Sequence, residues 1–137
     1  MNQFSAFILT FNSAKYLEKI IVRLQKACDE IIIVDSGSTD GTKSISEKHG
    51  CRFVVRRFDN FKNQRAFALA QCRHDWVLMI DSDEVPDDTL IAALQMLKAG
   101  TNIPDACRLR REWYVLGKKI HAMYPVVSPD YPVRLFD

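Results

Sequence analysis

The 137-residue sequence lacks several features that would place it in other classes of protein. It has no apolar run of membrane-spanning length, and no basic segment followed by an apolar one at its N-terminus, so neither a membrane span nor an export signal is predicted. Its four cysteines include no CxxC pair, which argues against a zinc site. A net charge of +2 does not indicate a nucleic-acid partner. We therefore expect a cytoplasmic protein, or one at the cytoplasmic face of a membrane, with reduced cysteines.

The composition and patterning of the chain are those of a single α/β domain. Apolar residues make up 47% of the sequence and charged residues 26%, enough for one hydrophobic core. Strand-like and helix-like segments alternate through the first hundred residues, which predicts a mostly parallel, doubly wound, Rossmann-like sheet flanked by helices. The predicted strands are residues 3–10, 30–34, 51–56 and 76–80, and the predicted helices begin at Asn12 or Ser13, Thr42, Phe61 (capped by Asn60) and Pro86.

The last third of the chain has a different pattern. Residues 106–114 alternate loosely and are basic, so we expect an extended segment there. Residues 117–131 contain prolines and no periodicity, which predicts mostly loop. Residues 133–136 are again strand-like. We therefore divide the one domain into residues 1–100 and 101–137.

Three carboxylates directly follow the predicted strand 76–80, in the motif Asp81-Ser82-Asp83-Glu84. Residues i and i+2 of an extended chain project to the same side, so Asp81 and Asp83 can reach one ligand. Like charges this close repel each other unless a cation lies among them, and carboxylate oxygens suit Mg²⁺ or Mn²⁺. One carboxylate would coordinate the metal, the other would bind a ribose hydroxyl or a metal-bound water, and Glu84 would lie outside the metal's direct ligands. The alternative is that these residues only cap the helix that follows.

The segment 35–42, DSGSTDGT, follows the predicted strand 30–34. Asp35 could accept hydrogen bonds from a base N–H and a sugar hydroxyl, and the glycines allow close approach of a ligand. The alternative is an ordinary turn between strand and helix in which Asp40 or Ser38 caps the helix. The segment is neither a GxxxxGK[ST] phosphate loop nor a GxGxxG motif.

Polar residues follow three of the four predicted strands, and the carboxyl ends of parallel strands share one edge of the sheet. Thr10 ends the first strand and Asn12 follows it, and we expect both to lie beside the segments around Asp35 and Asp81. Arg65, near the start of a predicted helix, could contact a base carbonyl or a phosphate there, or could equally be a solvated surface charge. These residues predict one ligand-binding crevice.

Four motifs, Thr10-Phe-Asn12, 35–42, Asn-Gln-Arg65 and 81–84, occur in an order that resembles inverting family 2 glycosyltransferases of the GT-A fold. The similarity is greatest to the branch that builds lipopolysaccharide and lipooligosaccharide core sugars. The resemblance implies that Asp83, together with Asp81, holds Mg²⁺ or Mn²⁺. It also implies a set of nucleotide-sugar-binding residues: Thr10, Asn12, Asp35, Ser36, Gly37, Ser38, Arg65, Asp81 and Ser82. Within that set, the base would contact Thr10 and Asp35.

The resemblance also implies a reaction. A sugar, most simply uridine diphosphate-linked, would pass with inversion to a glycan or lipid-linked acceptor in cell-surface polysaccharide synthesis. Residues 1–100 would bind the donor, and 101–137 would begin the acceptor side. That branch typically continues for roughly another hundred residues, so we expect the acceptor part to be incomplete here. Asp130 and Glu112 are the candidate catalytic bases.

Two other functions remain open from the sequence. A nucleotidyltransferase shares the architecture but would have a glycine-rich, basic loop after the first strand, where this chain has Thr10-Phe-Asn-Ser-Ala. A non-catalytic nucleotide-binding fragment is favoured by the short length. The sequence makes no prediction of oligomeric state.

Overall fold

The computed structural model describes residues 1–123 and 126–137, and its first hundred residues alternate strands and helices as predicted. No helix in that described part is both long and apolar enough to cross a membrane. The strands are β1 Phe4–Thr10, β2 Glu30–Asp35, β3 Arg52–Val55 and β4 Trp76–Asp81, and the helices are α1 Ala14–Leu24, α2 Thr42–Lys48, α3 Phe61–Gln71 and α4 Asp88–Ala99.

The rest of the described chain contains short strands, including two hairpins in the region that the sequence predicted as mostly loop. The sequence did not predict these hairpins because strands of two residues are too short to show a period; residues 124 and 125 of the predicted loop lie outside the described residues. Leu116 and Gly117, with φ of 49° and 76°, form the tight turn that joins the strand at residues 114–115 to the strand at residues 118–119. The strands are β5 Ala106–Arg108, β6 Tyr114–Val115, β7 Lys118–Lys119, β8 Ala122–Met123, β9 Val126–Val127 and β10 Val133–Phe136.

One six-stranded sheet, in the order β3-β2-β1-β4-β10-β5, organises the domain. The strands β1 to β4 are parallel, and β10 runs antiparallel between β4 and β5. The chain moves outward from β1 to β3 and then returns to the other side of β1, so strand order switches between β1 and β4. Ligands of such sheets bind beyond the carboxyl ends of the strands at this switch. Thr10 pairs there with Asp35, and Leu9 with Asp81.

The sheet is buried on both faces, which explains why its central strands are almost continuously apolar. Phe4, Ala6 and Ile8 of β1 pack with α1 and α4, whereas Phe7 lies on the opposite face with Ala68 of α3. Fully burying a large apolar side chain contributes about 1.5–3 kcal/mol. This double core holds the strand ends in fixed positions.

The first residues of α1 and α2 are both held by Asp40. Ser13 is the N-cap residue of α1, but its side chain makes no capping hydrogen bond, so neither Asn12 nor Ser13 caps that helix as predicted. Instead Asp40 Oδ2 accepts a hydrogen bond from the Ala14 amide at 3.1 Å, and its Oδ1 accepts one from the Thr42 amide at 3.0 Å. One carboxylate therefore fastens two helix starts beside the crevice.

The helices α3 and α4 begin with side-chain caps. Asn60 accepts a hydrogen bond from the Asn63 amide, as predicted, and Asp87 accepts one from the Leu90 amide. Such caps contribute about 1 kcal/mol each. The cap on α3 also fixes Phe61, the first residue of that helix, at the rim of the crevice.

Candidate active site

A cavity of about 500 Å³ opens at the switch between β1 and β4, where the sequence predicted a crevice. A volume of this size suits a small-molecule ligand. Three of the predicted binding residues lie in its wall, alongside residues that the sequence did not single out. The lining consists of Leu9, Thr10, Phe11, Ser36, Phe58, Phe61, Gln64 and Ser82.

Three exposed phenylalanines surround this cavity. Phe11, Phe58 and Phe61 expose 62%, 43% and 61% of their surface, and the last two rings meet edge to face at 5.0 Å. Exposed aromatic rings beside polar groups suit a flat ring that can stack on them. The sequence analysis did not single out these rings, although an aromatic residue after a strand end or at a helix start was a usable signal.

Gln64 links α3 to the turn after β2. Its side chain is fully buried, and its Nε2 donates hydrogen bonds to Ser36 Oγ at 3.3 Å and to the Arg56 carbonyl at 3.2 Å. Arg56 in turn donates to the Gln64 Oε1. The Ser36 hydroxyl is thereby held at the cavity wall, where its position suits a ligand contact.

Arg65 lies exposed on the same helix, 5.4 Å from the centre of the Phe61 ring. Its charge is close enough to Asp81 to lower the pKa of that carboxyl, whereas burial and the charge of Glu84 raise it. The structure therefore brings Arg65 to the edge of the crevice that holds the aspartate motif.

The Asp35 carboxylate is 1% exposed and fully engaged by the turn that follows β2. Its Oδ1 accepts hydrogen bonds from the hydroxyls of Thr10 (2.7 Å) and Ser38, and its Oδ2 accepts from the amides of Gly37 (2.9 Å) and Ser38 (2.7 Å). Burial alone would raise the pKa of Asp35, but these hydrogen bonds outweigh it and hold the pKa below its ordinary value. A direct contact with a base, as predicted, would require one of these bonds to break.

Asn12 and Ser38, both predicted to bind the ligand, join the turns after β1 and β2. The Asn12 amide donates to Ser38 Oγ at 2.7 Å, and the Asn12 side chain accepts from the Thr39 amide at 2.8 Å. Asn12 adopts a φ of 49°, a conformation that asparagine tolerates better than most residues. In this structure these two residues shape the edge of the crevice.

Asp81 and Asp83 lie at the end of β4 with different surroundings. Asp81 Oδ2 accepts a hydrogen bond from Arg134 Nη2 at 2.8 Å, while Asp83 is exposed and forms no ion pair within residues 1–123 and 126–137. Burial raises the pKa of Asp81, the charge of Glu84 raises it further, and Arg134 and Arg65 only partly oppose the rise. An added cation would therefore favour ionised Asp81.

Glu84 binds two arginines and the Asp81 amide, and its predicted place outside the metal's direct ligands stays a prediction. Its Oε1 accepts hydrogen bonds from Arg111 at 2.8 Å and Arg134 at 2.7 Å, and its Oε2 accepts one from the Asp81 amide at 3.0 Å. Burial would raise the pKa of Glu84, but these three hydrogen bonds lower it overall. Glu84 thus anchors the last third of the chain to the aspartate motif.

The two candidate bases are both held by cations. Arg111 donates to both carboxylate oxygens of Asp130, and its hydrogen bond lowers the pKa of Asp130. Lys119 and Arg110 contact Glu112 Oε1 at 2.9 and 2.7 Å, and the Lys119 hydrogen bond lowers the pKa of Glu112. The geometry therefore favours neither carboxylate as an acceptor of a substrate proton.

The aspartate motif fits a divalent cation only if a ligand supplies further oxygen atoms. The described residues contain no cluster of three or more His, Cys, Asp or Glu side chains able to hold a metal. Mg²⁺ and its analogues are commonly held by one or two carboxylates together with substrate phosphates. Around the motif, four carboxylates face two guanidinium groups, and Arg65 adds a third positive charge at the edge of the crevice, which leaves one negative charge for such a cation to balance. The carboxylates are those of Asp81, Asp83, Glu84 and Asp130, and the guanidinium groups are those of Arg111 and Arg134.

Comparison with known sequences gives consistent matches. A family model described as glycosyl transferase family 2 matches residues 5–125. The lipopolysaccharide core biosynthesis glycosyltransferase LpsC of Rhizobium meliloti is 38% identical over 118 residues, which cover 82% of this chain and 43% of LpsC. An uncharacterized glycosyltransferase of Rickettsia bellii is 39% identical over 98 residues, covering 72% of this chain and 33% of that protein. The chain thus spans less than half the length of these relatives.

Comparison with solved structures matches glucosyl-3-phosphoglycerate synthase from Mycobacterium tuberculosis. Its complex with UDP gives a TM-score of 0.53 at 27% identity, covering 61% of this chain and 35% of that one. Its complex with Mn²⁺, UDP and glucosyl-3-phosphoglycerate gives 0.52 at 28% identity, covering 60% and 34%. The matched structures are thus complexes of that synthase with UDP and with Mn²⁺.

Proposed function

The chain belongs to glycosyl transferase family 2, and from this premise we propose that it binds a nucleoside-diphosphate sugar for transfer of the sugar with inversion. The predicted GT-A-like, mostly parallel α/β fold is confirmed by the strand order and by the matched structures. Membership of this family leaves the nucleotidyltransferase alternative without support. The activity of the whole protein is part of the proposal, since the chain covers 43% of LpsC.

The donor that we propose is UDP-linked. The proposal rests above all on the cavity of about 500 Å³ at the strand switch, with its aromatic rim beside the aspartate motif. The uracil ring would stack among Phe11, Phe58 and Phe61, within reach of Ser36 and Thr10. The binding of UDP by the matched mycobacterial synthase supports this choice of nucleotide.

Asp83 and Asp81 would hold Mg²⁺ or Mn²⁺ together with the diphosphate. The bound cation would neutralise the charge that develops on the departing diphosphate. Arg65 lies at the same edge and would add a fixed positive charge there. Ser82, in the cavity wall, would contact the nucleotide.

The transfer itself requires the acceptor hydroxyl to attack the anomeric carbon as the bond to the diphosphate breaks, with loss of the hydroxyl proton to a base. Asp130 and Glu112 have their carboxylates engaged by Arg111 and Lys119. We therefore propose that both position the acceptor-side segment. The assignment of either residue as the base stays a prediction from the sequence.

The acceptor that we propose is a glycan or lipid-linked glycan of the bacterial cell surface. The similarity to LpsC, which acts in lipopolysaccharide core biosynthesis, supports this class. The hairpin β6–β7 adds a physical reason, since Leu116 at its tip is 98% exposed and Lys118 and Lys119 follow it. An exposed apolar tip beside lysines suits the surface of an anionic lipid bilayer.

The test of this function is metal-dependent binding of UDP, measured by isothermal titration with and without Mn²⁺. We expect Asp83→Asn to reduce UDP affinity at least about tenfold when Mn²⁺ is present, because it removes a proposed ligand. The matched control is Asp75→Asn, an exposed aspartate just before the start of β4, which should bind like wild type.

Equal affinity of wild type and Asp83→Asn in Mn²⁺ would contradict the metal assignment. Hydrolysis of a UDP-sugar, or its transfer to a cell-surface glycan acceptor, then distinguishes a transferase from the non-catalytic fragment that the sequence left open. Binding without either reaction would favour the fragment.

A further inference from the structure

Arg134 joins the last strand of the sheet to the aspartate motif. It lies on β10, is 7% exposed, and directs Nη2 to Asp81 Oδ2 at 2.8 Å and to Glu84 Oε1 at 2.7 Å. The antiparallel pairing of Leu135 with Leu78 sets this side chain beside the carboxyl end of β4. Its Nε is also buried, and it has no hydrogen-bond partner in the described part of the chain.

The guanidinium group therefore occupies the same carboxylate that the proposed function assigns to a metal ion. A divalent cation on Asp81 would repel the positive charge of Arg134, because both would lie next to the same carboxylate group. Glu84 offers Arg134 a second partner, since it already accepts a hydrogen bond from the same nitrogen. Arg134 can thus leave Asp81 while its charge stays paired.

We propose that Arg134 is a positioning residue that serves as an internal counter-ion of Asp81 and is displaced toward Glu84 when the metal–diphosphate binds. This inference rests on the proposed function, and it adds a coupling between donor binding and the acceptor-side segment. Glu84 also holds Arg111, which contacts Asp130 and stacks 4.7 Å from the centre of the Trp113 ring. Donor binding is thereby coupled to the acceptor-side segment, and the coupling is reciprocal.

The first test follows the Arg134 Nε–H directly in the wild-type protein. This buried group should give a protected signal in a proton–nitrogen correlation spectrum, identified by its loss in Arg134→Lys. We expect Mg²⁺ with UDP to shift this signal, whereas UDP alone should shift it little. Mg²⁺ is chosen because it is not paramagnetic.

The second test measures Mn²⁺ affinity in the presence of UDP, from the electron paramagnetic resonance signal of free Mn²⁺. Arg134→Met should bind Mn²⁺ about tenfold more tightly than wild type, because a competing charge is removed. Arg134→Lys retains the charge and should stay close to wild type. The matched control is Arg52→Met, which removes an arginine paired with Glu30 at the opposite edge of the sheet and should not change Mn²⁺ affinity.

The outcomes separate the two proposals. Weaker or unchanged Mn²⁺ binding by folded Arg134→Met would overturn the counter-ion role and leave the proposed function intact. If that variant does not fold, an unshifted Nε–H signal in wild type bound to Mg²⁺ and UDP would overturn the counter-ion role alone. Failure of the wild type to bind UDP with either metal would overturn both.

Discussion

At the scale of single residues, Phe58 and Phe61 carry apolar surface that folding leaves exposed at the cavity. Most exposed apolar residues are scattered singly over a protein surface and need no explanation. These two are in contact with each other and share the cavity wall with Ser36 and Gln64. Their arrangement suits the proposed stacking on a ligand ring.

We expect Phe61→Ala to weaken UDP binding by about 1–3 kcal/mol, the usual effect of removing an aromatic partner of a base. The measurement is isothermal titration with UDP and, separately, with uridine, which lacks the phosphates. If affinity falls equally for UDP and for uridine, the lost contact is one with the base, which both ligands share. The control is Leu69→Ala, an exposed apolar residue on the same helix. A loss seen with UDP alone would instead indicate an effect through Arg65, which lies over the Phe61 ring.

Single residues differ in how far the sequence reveals them. Asp81 and Asp83 could be predicted because their grouping is local and a buried strand precedes them. The pairing of Arg134 with Asp81 could not, since the residues are 53 positions apart and only the pairing of β10 with β4 brings them together. The contact of Asp35 with a base stays a prediction, and the hydrogen bonds that engage this carboxylate in the structure come from Thr10 and from the turn that it closes.

At the scale of elements, the strands and helices of the first hundred residues were predictable because short apolar runs alternate with helix-like segments and polar turn residues separate them. The position of β10 was not, because a strand-like run does not reveal its neighbours. Its insertion between β4 and β5 depends on long-range pairing. The two-residue strands of the hairpins β6–β7 and β8–β9 are shorter than any period that a sequence can show.

The hairpin β6–β7 is the element that we expect to contact lipid. Leu116→Glu should reduce co-sedimentation of the chain with phosphatidylglycerol vesicles, since it removes the exposed apolar tip and adds a repulsive charge. The control is Met96→Glu, which replaces an exposed apolar residue on α4 and adds the same negative charge.

Two results would contradict this role of the hairpin. One is equal sedimentation of Leu116→Glu and wild type. The other is binding of wild type to neutral phosphatidylcholine vesicles as strongly as to anionic ones. Retention of nucleotide binding in Leu116→Glu would show that the change acts on the lipid contact and leaves the donor crevice intact.

At the scale of the whole molecule, the carboxyl edge of the sheet concentrates ionised carboxylates that the fold stabilises. Hydrogen bonds lower the pKa of Asp35 and Asp40, and Arg111 lowers the pKa of Asp130. The architecture that places Asp35 and Asp40 at this edge followed from strand–helix alternation, whereas the place of Asp130 depends on long-range pairing in the last third of the chain. Which carboxylates are engaged by the fold and which are open to a ligand depends on turn hydrogen bonds, which no periodicity encodes.

This edge predicts how stability depends on pH. A carboxyl whose pKa is lower in the folded state stabilises the fold above its unfolded pKa, about 3.9 for aspartate, and loses that contribution as pH falls through the folded value. We expect the free energy of unfolding, measured by urea denaturation, to change little between pH 7 and 5.5 and to fall below about pH 4. Asp35→Asn should lower it by roughly 2–3 kcal/mol at pH 7, because a buried acceptor of four hydrogen bonds is impaired.

The difference between Asp35→Asn and wild type should then shrink as pH falls below about 3.9, because the unfolded wild-type chain takes up a proton at Asp35 before the folded turn does. Asp75→Asn, at an exposed position, should stay within about 0.5 kcal/mol of wild type throughout. If the free energies of unfolding of Asp35→Asn and wild type differ by the same amount down to pH 3, the turn depends on the shape of this side chain and gains nothing from its charge. The low folded pKa of Asp35 would then be wrong, and with it the view that this carboxylate is ionised to order the turn beside the donor crevice.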